Sequence, residues 1–227
     1  MPKAKAANGS VPTNRIANLT ESRDLVISRA NLVTAEFLII GDSPYCQHKF
    51  SKKATQQMMD KMKAGGTAKK STKKEPRDFD RDYVEAMYQP NPPWPNGGIP
   101  ANALLASMVD ACRLTDFQMR SAKQCIDVLA DGFDVDTMKP LIRITKGAPE
   151  PFITPMRIQM TTDIRVRPLW QPGWEAIVRI QYDADRFTMI DVANLLHRAG
   201  SQVGIGEGRP QSKMCVGLGW GKFHIDG

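Results

Sequence analysis

From Trp174 to Asp183 apolar and polar residues alternate. Ala176, Val178, Ile180 and Tyr182 fall on one side, and Glu175, Ile177, Arg179 and Gln181 on the other. A period of two belongs to a β-strand buried on one face. The period then changes. Val192, Leu195, Leu196 and Ala199 recur at helical spacing behind Thr188, a residue suited to N-capping, with Asp191 three positions on as its capping-box partner. Gly200 is expected at the C′ position that ends this helix. Glycines at 200, 204, 206 and 208 mark a loop that runs to Pro210, and a last strand is expected over Trp220–Ile225. The tail therefore predicts strand, helix, glycine-rich loop, strand.

Upstream, Thr34–Ile40 predicts a strand broken by Gly41-Asp-Ser-Pro44. Ser51 is the expected N-cap of a helix through Ala54, Met58, Met59 and Met62 that closes at Gly65-Gly66. Two helical turns are expected over Asp80–Tyr88, and Pro90–Gly98 can only be a loop, since its prolines remove donors and its glycines permit positive φ. Ile99–Leu114 has the most marked helical pattern, with Pro100 in the first turn and Leu104, Leu105, Met108, Val109 and Cys112 on a wide apolar face. A short helix is expected from a capping box at Thr115–Gln118. Strands follow at Ile126–Ala130, turned by Asp131-Gly132, and at Leu141–Thr145.

Pro149–Pro155 predicts a proline loop. Asp163–Trp170 alternates again, with Ile164, Val166 and Pro168 opposite Asp163, Arg165 and Arg167; Pro168 assigns this strand to an edge or to its own end. The turn Gln171-Pro-Gly173 is expected to join it in a hairpin to the strand after Trp174, placing Arg179 beside Arg165 and Arg167. A strand followed by a helix occurs near 34–63 and again at 174–199. Two β-α-β halves with antiparallel strands between them predict an α+β, ferredoxin-like antiparallel sheet with helices packed on one face.

A chain of 227 residues, 41% hydrophobic, can bury a substantial core. Residues 1–31 lack periodicity and are expected to be a mobile N-terminal arm; 32–227 are expected to form a single domain with a flexible basic insertion at about 64–78. The sequence holds no apolar run of about eighteen residues and no secretory-type N-terminus, so a soluble, cytoplasmic protein without membrane partners is expected. Cys46, Cys112, Cys125 and Cys215 form no C-x-x-C pair and lie in apolar segments, which favours buried thiols over disulfides or zinc.

The net charge of +7 is concentrated. Between Lys49 and Arg77 ten basic residues, among them Lys52, Lys53, Lys69, Lys70, Lys73 and Lys74, face only Asp60 and Glu75. Such a segment beside a near-neutral body suits a polyanion, most often nucleic acid, through counterion release; equally, it suits a solvated run that keeps a loop open.

Gly204-Ile-Gly-Glu-Gly208 follows a helix and precedes a strand, the reverse of a dinucleotide fingerprint, so no nucleotide cofactor is expected. Its glycines either let backbone approach a phosphate or a neighbouring subunit, with Arg209 and Lys213 supplying charge, or make a tight connection. His48, His197 and His224 have no metal-ligand spacing. His48, within Tyr45-Cys-Gln-His-Lys-Phe50, is either a satisfied structural histidine or part of a base-stacking, phosphate-binding mixture. There is no G-x-S-x-G or H-E-x-x-H, and Asp183/Asp185 and Asp131/Asp134 lie in predicted turns. Neither an enzyme nor a metal site is expected.

Gly41-Asp-Ser-Pro-Tyr-Cys-Gln-His-Lys-Phe-Ser51, Ile99-Pro-Ala-Asn-Ala-Leu104 and Ala193-Asn-Leu-Leu-His-Arg-Ala-Gly-Ser-Gln-Val-Gly-Ile-Gly-Glu-Gly-Arg-Pro210 resemble motifs of a group of bacteriophage-encoded proteins, over roughly residues 32–225. In layout the chain also resembles the RAMP superfamily, to which the RNA-coating backbone subunits of CRISPR effector complexes belong. That resemblance implies a ferredoxin-like core, a helix after an Ile-Pro entry and a glycine-rich loop near the C-terminus. With no histidine placed for cleavage, it implies binding and multimerisation; a phage-encoded protein would act in the host cytoplasm. The combined expectation is a protein that binds single-stranded RNA or DNA without strong sequence preference and forms homo-oligomers along it. Its contacts would be His48, Lys49, Lys52 and Lys53, the insertion lysines Lys69, Lys70, Lys73 and Lys74, the arginine face Arg165, Arg167 and Arg179, and the loop Gly204, Gly206, Gly208 and Arg209. The alternative is a structural or assembly protein that oligomerises through Met58, Met59, Met62 and the loop around Trp94.

Overall fold

The alternation in the tail is answered by a second alternating strand from the start of the domain, and the pair forms the centre of the fold. The structure is a computed structural model and describes residues 28–63, 65, 76–115, 117–158, 161–212 and 218–227. In chain order its elements are β1 (Leu32–Gly41), β2 (Tyr45–Cys46), α1 (Lys52–Lys63), α2 (Phe79–Glu85), β3 (Gly98–Pro100), α3 (Ala101–Ala111), α4 (Met119–Cys125), β4 (Ile126–Leu129), β5 (Gly132–Phe133), β6 (Pro140–Lys146), β7 (Glu150–Ile158), β8 (Thr161–Trp170), β9 (Glu175–Asp183), α5 (Met189–Arg198) and β10 (Phe223–Ile225).

The class is α+β with antiparallel sheets. One sheet runs β10-β1-β9-β6-β3, with β4 also on β9 and β5 on β6; the other runs β2-β8-β7. In the first, Ala35, Phe37 and Ile39 of β1 stand opposite Ile180, Val178 and Ala176 of β9. That face is covered by α3 and α5, whose Leu104, Met108, Val192 and Leu196 are fully buried beside Ile39, Val178 and Ile180. Each such side chain contributes about 1.5–3 kcal/mol by leaving water, so this layer dominates the stability of the unit Asn31–Gly227. Along the chain, β1–α3–β4 and β9–α5–β10 repeat one motif, and their strands lie side by side in the order β10-β1-β9-β4, every neighbour antiparallel.

Several elements follow the local pattern closely. Thr188 and Asp191 form the capping box of α5, and Ser51 Oγ accepts from Ala54 N at 3.2 Å at the start of α1. Other expectations are corrected. The helix of the first β-α-β half is α3, not α1, because α3 carries the apolar face that β1 and β9 need. Pro149–Pro155 is largely strand β7. Pro151 and Pro155 are four residues apart, so both missing N–H groups fall on the same side, the free edge away from β8. The hairpin between β8 and β9 does not form: after Trp170 the chain changes sheet, and β9 pairs with β1, β4 and β6. Pro100 is the N-cap of α3 rather than within its first turn, with Ile99 in β3.

The Thr115–Gln118 capping box is also absent. Thr115 closes a 3-10 turn by donating to the Cys112 carbonyl, and α4 starts at Met119 behind a Gln118 that makes no side-chain cap. Gly200 does not end α5. The chain continues through a π turn, Ala199–Val203, and Gly204, with φ 75°, breaks it. Gly200 is small for another reason: a Cβ there would lie 2.1 Å from the Phe223 carbonyl oxygen. The last strand is shorter than expected, starting at Phe223. Residues 1–27 of the arm, and residues 64 and 66–75 of the basic insertion, lie outside the described residues.

Candidate nucleic-acid interface

Two segments distant in sequence meet beside the second sheet. β2 pairs with the end of β8, Tyr45 opposite Trp170 and Cys46 opposite Leu169. The glycine loop docks on β2: Glu207 N donates to the Cys46 carbonyl at 2.9 Å, and Gly221 N donates to Pro44 O at 2.7 Å. Gly206, at φ 74°, permits this approach, since a Cβ would lie 2.5 Å from Cys46 O and 2.7 Å from the Tyr45 ring. Gly204 and Gly208 share that backbone conformation, and a Cβ on Gly208 would press on Trp220. The three glycines thus serve close packing of the loop, and the groups they project are Glu207 and Arg209.

Glu207 is the hub of the charges here. One carboxylate oxygen accepts from Arg167 Nη1 and the other lies 3.5 Å from His48 Nδ1. Arg167 also donates from Nη2 to Thr154 Oγ1 at 2.9 Å, and its guanidinium stands 5.8 Å over the Phe152 ring. Arg165, two residues earlier, projects from the same face of β8 and is half-buried. Arg209 Nη1 donates to Gly206 O at 3.0 Å. Aromatic rings border the group. Phe50 is 67% exposed with its ring 5.8 Å from that of His48, and Phe152 meets Trp220 edge-on at 5.5 Å. Burial lowers the proton affinity of His48 below that of an ordinary imidazole; Glu207 opposes the shift, while Arg165 and Arg167 add to it. His48 is therefore held neutral near pH 7, in a setting of three guanidinium groups against one carboxylate.

Other expected contacts lie elsewhere. Lys49 is only 5% exposed, and its ammonium donates to Asp134 at 2.8 Å and Asp136 at 2.6 Å. A buried ammonium without paired carboxylates would be prohibitive, so Lys49 is committed to the interior and is no phosphate ligand. Asp134, fully buried, also accepts from the backbone N–H groups of Gln89, Asp136 and Thr137 and from the Thr137 hydroxyl. Burial alone would raise its pKa; the Lys49 ammonium, Thr137 and these amides outweigh that and hold it low. Hydrogen bonds from Lys49 and Lys52 likewise hold Asp136 low. Lys52 is exposed but shares Asp136, at 2.9 Å.

Arg179 does not join Arg165 and Arg167. It sits in the first sheet, opposite Glu36 and Leu129, and donates to Asp131 Oδ1 at 2.5 Å. The Lys53 side chain, Lys69, Lys70, Lys73, Lys74 and Lys213 lie outside the described residues.

Sequence reasoning missed Glu207, Thr154, Phe152 and Trp220. Glu207 left a signal, as the lone acidic residue inside the glycine loop; the others come from segments that only the fold brings near. Behind the loop, a pocket of about 120 Å³ is lined by Ala103, Ser107, Asp110, Gly204 and Arg209, among others. Among the described residues, no group of His, Cys, Asp and Glu is arranged to hold a metal ion, and no helix is long and apolar enough to cross a membrane. Cys46 and Cys112 are buried, and burial pushes the Cys112 thiol up. No protein-family model matches the sequence, and no curated protein is similar enough to match it.

Proposed function

We propose that this chain is a RAMP-like protein of phage type that binds single-stranded nucleic acid along the surface shared by β8 and the glycine loop, with its subunits side by side along the strand. The observation that carries the reading is the gathering of Arg165, Arg209, His48 and Phe50 about the ion pair of Glu207 with Arg167, whose own guanidinium is buried beneath them. Guanidinium groups at such a surface meet phosphates, and an exposed ring beside them gives a base a face to stack on; neither reads sequence. The strand order β10-β1-β9-β4, built from two β-α-β units, matches the split β-α-β arrangement of ferredoxin-like domains and so supports the RAMP-like resemblance. The uncovered face of that sheet is a weaker candidate. It carries Glu36, Asp127, Glu175 and Asp183, and its Arg179 is already paired with Asp131.

The test is fluorescence anisotropy of labelled single-stranded RNA and DNA oligonucleotides over a range of salt. Affinity is expected to fall as salt rises, with a log–log slope of about −0.7 per phosphate neutralised. An Arg165→Gln, Arg209→Gln double variant is expected to reduce that slope by roughly 1.4 and to bind more weakly at every salt, for both nucleic acids. Arg179→Gln serves as the control that leaves binding unchanged. If the double variant binds as the native protein does, this surface is removed from the proposal. The exposed methionines Met58, Met59 and Met62 of α1 would then favour protein contact, and assembly, as the function.

A further inference from the structure

The edge of β1 is divided. Ala184 N donates to Asn31 O and Gly41 N to Trp174 O, so odd-numbered residues turn their backbone polar groups toward β9. Even-numbered residues face the other way: Leu38 O accepts from Asp226 N, and Asp42 N donates to Lys222 O, both at 2.9 Å. β10 pairs only with Ile39–Gly41. Leu32, Thr34 and Glu36 therefore present their N–H and C=O groups along an edge that, among the described residues, no strand occupies. All three are exposed.

Among the described residues, the outer strand of the second sheet is built differently. β7 carries Pro151 and Pro155, which strip donors from it, a common protection against edge-to-edge pairing. Leu32-Val-Thr-Ala-Glu-Phe37 has no proline, glycine or lysine. Its own apolar side chains Leu32 and Val33 are exposed, at 57% and 40%.

We propose that this edge is an interaction surface whose occupant is the same strand of a second copy, paired antiparallel about a two-fold axis at Thr34. In that register Thr34 stands opposite its equivalent, Leu32 opposite Glu36 of the second copy, and Val33 opposite Ala35. The pairs at 32, 34 and 36 each exchange two backbone hydrogen bonds, using only the groups that β9 and β10 leave open. No like charges stand opposite one another, and a Thr–Thr pair is favourable across strands. Pairing of β1 with β7 of a neighbour would lack the donors that Pro151 and Pro155 remove, whereas self-pairing supplies a donor and an acceptor at every open position. Such a contact is isologous and closes as a dimer. It uses neither Arg165 nor the glycine loop and does not depend on nucleic acid.

The experiment is light scattering behind size exclusion on the full chain, nuclease-treated and at high salt, over a dilution series. The native protein is expected to run as two copies that separate on dilution. Thr34→Pro removes an N–H that points only to the open edge, and Thr34→Lys sets two ammonium groups face to face at the axis. Both are expected to lose the dimer with unchanged circular dichroism and melting, and to keep oligonucleotide binding per protomer. A native protein that is monomeric at its highest soluble concentration overturns the proposal, as does a dimer that persists in both variants. Failure of oligonucleotide binding alone strikes the functional proposal above and leaves this one standing.

Discussion

His48 and Lys49 are chain neighbours with opposite fates. Lys49 turns inward to the fully buried Asp134 and the partly exposed Asp136, where every charge has a partner. His48 turns to the glycine loop, where one carboxylate is shared among an imidazole and the buried guanidinium of Arg167, while Phe50 is exposed and Arg165 and Arg209 are half-buried. The first arrangement is closed and contributes to the fold; the second is unbalanced toward positive charge and can accept an anion. A basic residue in a sequence is thus not yet a surface charge, and its meaning depends on which carboxylates the fold delivers to it.

The sharpest way to break the comparison is Asp134→Ala. It leaves the buried Lys49 ammonium with Asp136 alone and the amides of Gln89 and Thr137 without an acceptor. The expected loss is about 3–5 kcal/mol, measured by urea unfolding, because a buried ammonium loses one of its two carboxylates and buried amides lose their acceptor. A loss near zero would place Lys49 among the surface charges after all.

Glu207→Gln probes the open cluster and acts in the other direction. Removing the one carboxylate raises the net charge of the cluster by one although Arg167 itself stays buried, so binding of single-stranded oligonucleotide is expected to tighten several-fold at low salt and to lose that gain as salt screens it. Weaker binding would make Glu207 a positioning residue for the arginines rather than a brake.

Acid separates the clusters most gently. The carboxyl groups of Asp134 and Asp136 titrate below their unfolded values, so the stability they confer is complete above about pH 4 and is lost as pH falls through their lower folded values. His48 also has a folded pKa below its unfolded one, so its contribution is complete above about pH 6.5 and declines as pH drops from there toward the folded value. Protonation of His48 adds positive charge at the loop. As pH falls from about 6.5, melting temperature is therefore expected to fall slightly, and oligonucleotide affinity to rise as pH passes through the lowered folded value of His48. His48→Gln is expected to flatten both profiles.

Local grammar made much of the fold legible. The strand-forming run at 34–40, the period-two run at 175–183, the Thr188–Asp191 capping box and the apolar stripe of α3 depend on neighbours within a few residues, and each forms as its residues dictate. The long-range choices were not written there. Proline at 151 and 155 reads locally as a loop, yet an edge strand tolerates it where the missing N–H faces outward. The turn Gln171-Pro-Gly173 reads as a hairpin, but Trp174 is fully buried in the core and carries the chain into another sheet.

The same division holds for the candidate site. The sequence by itself determined that His48 sits among aromatic and basic residues, that Arg165 and Arg167 share one strand face, and that a glycine loop follows the last helix. Tertiary structure alone decided that the loop docks on Tyr45 and Cys46, that Glu207 ties His48 to Arg167, that Lys49 is buried and that Arg179 lies on a different sheet. The reason is physical. Side-chain alternation and capping follow from backbone periods within one element, whereas the pairing of charges and the exposure of an edge are set by which distant segments exclude water together.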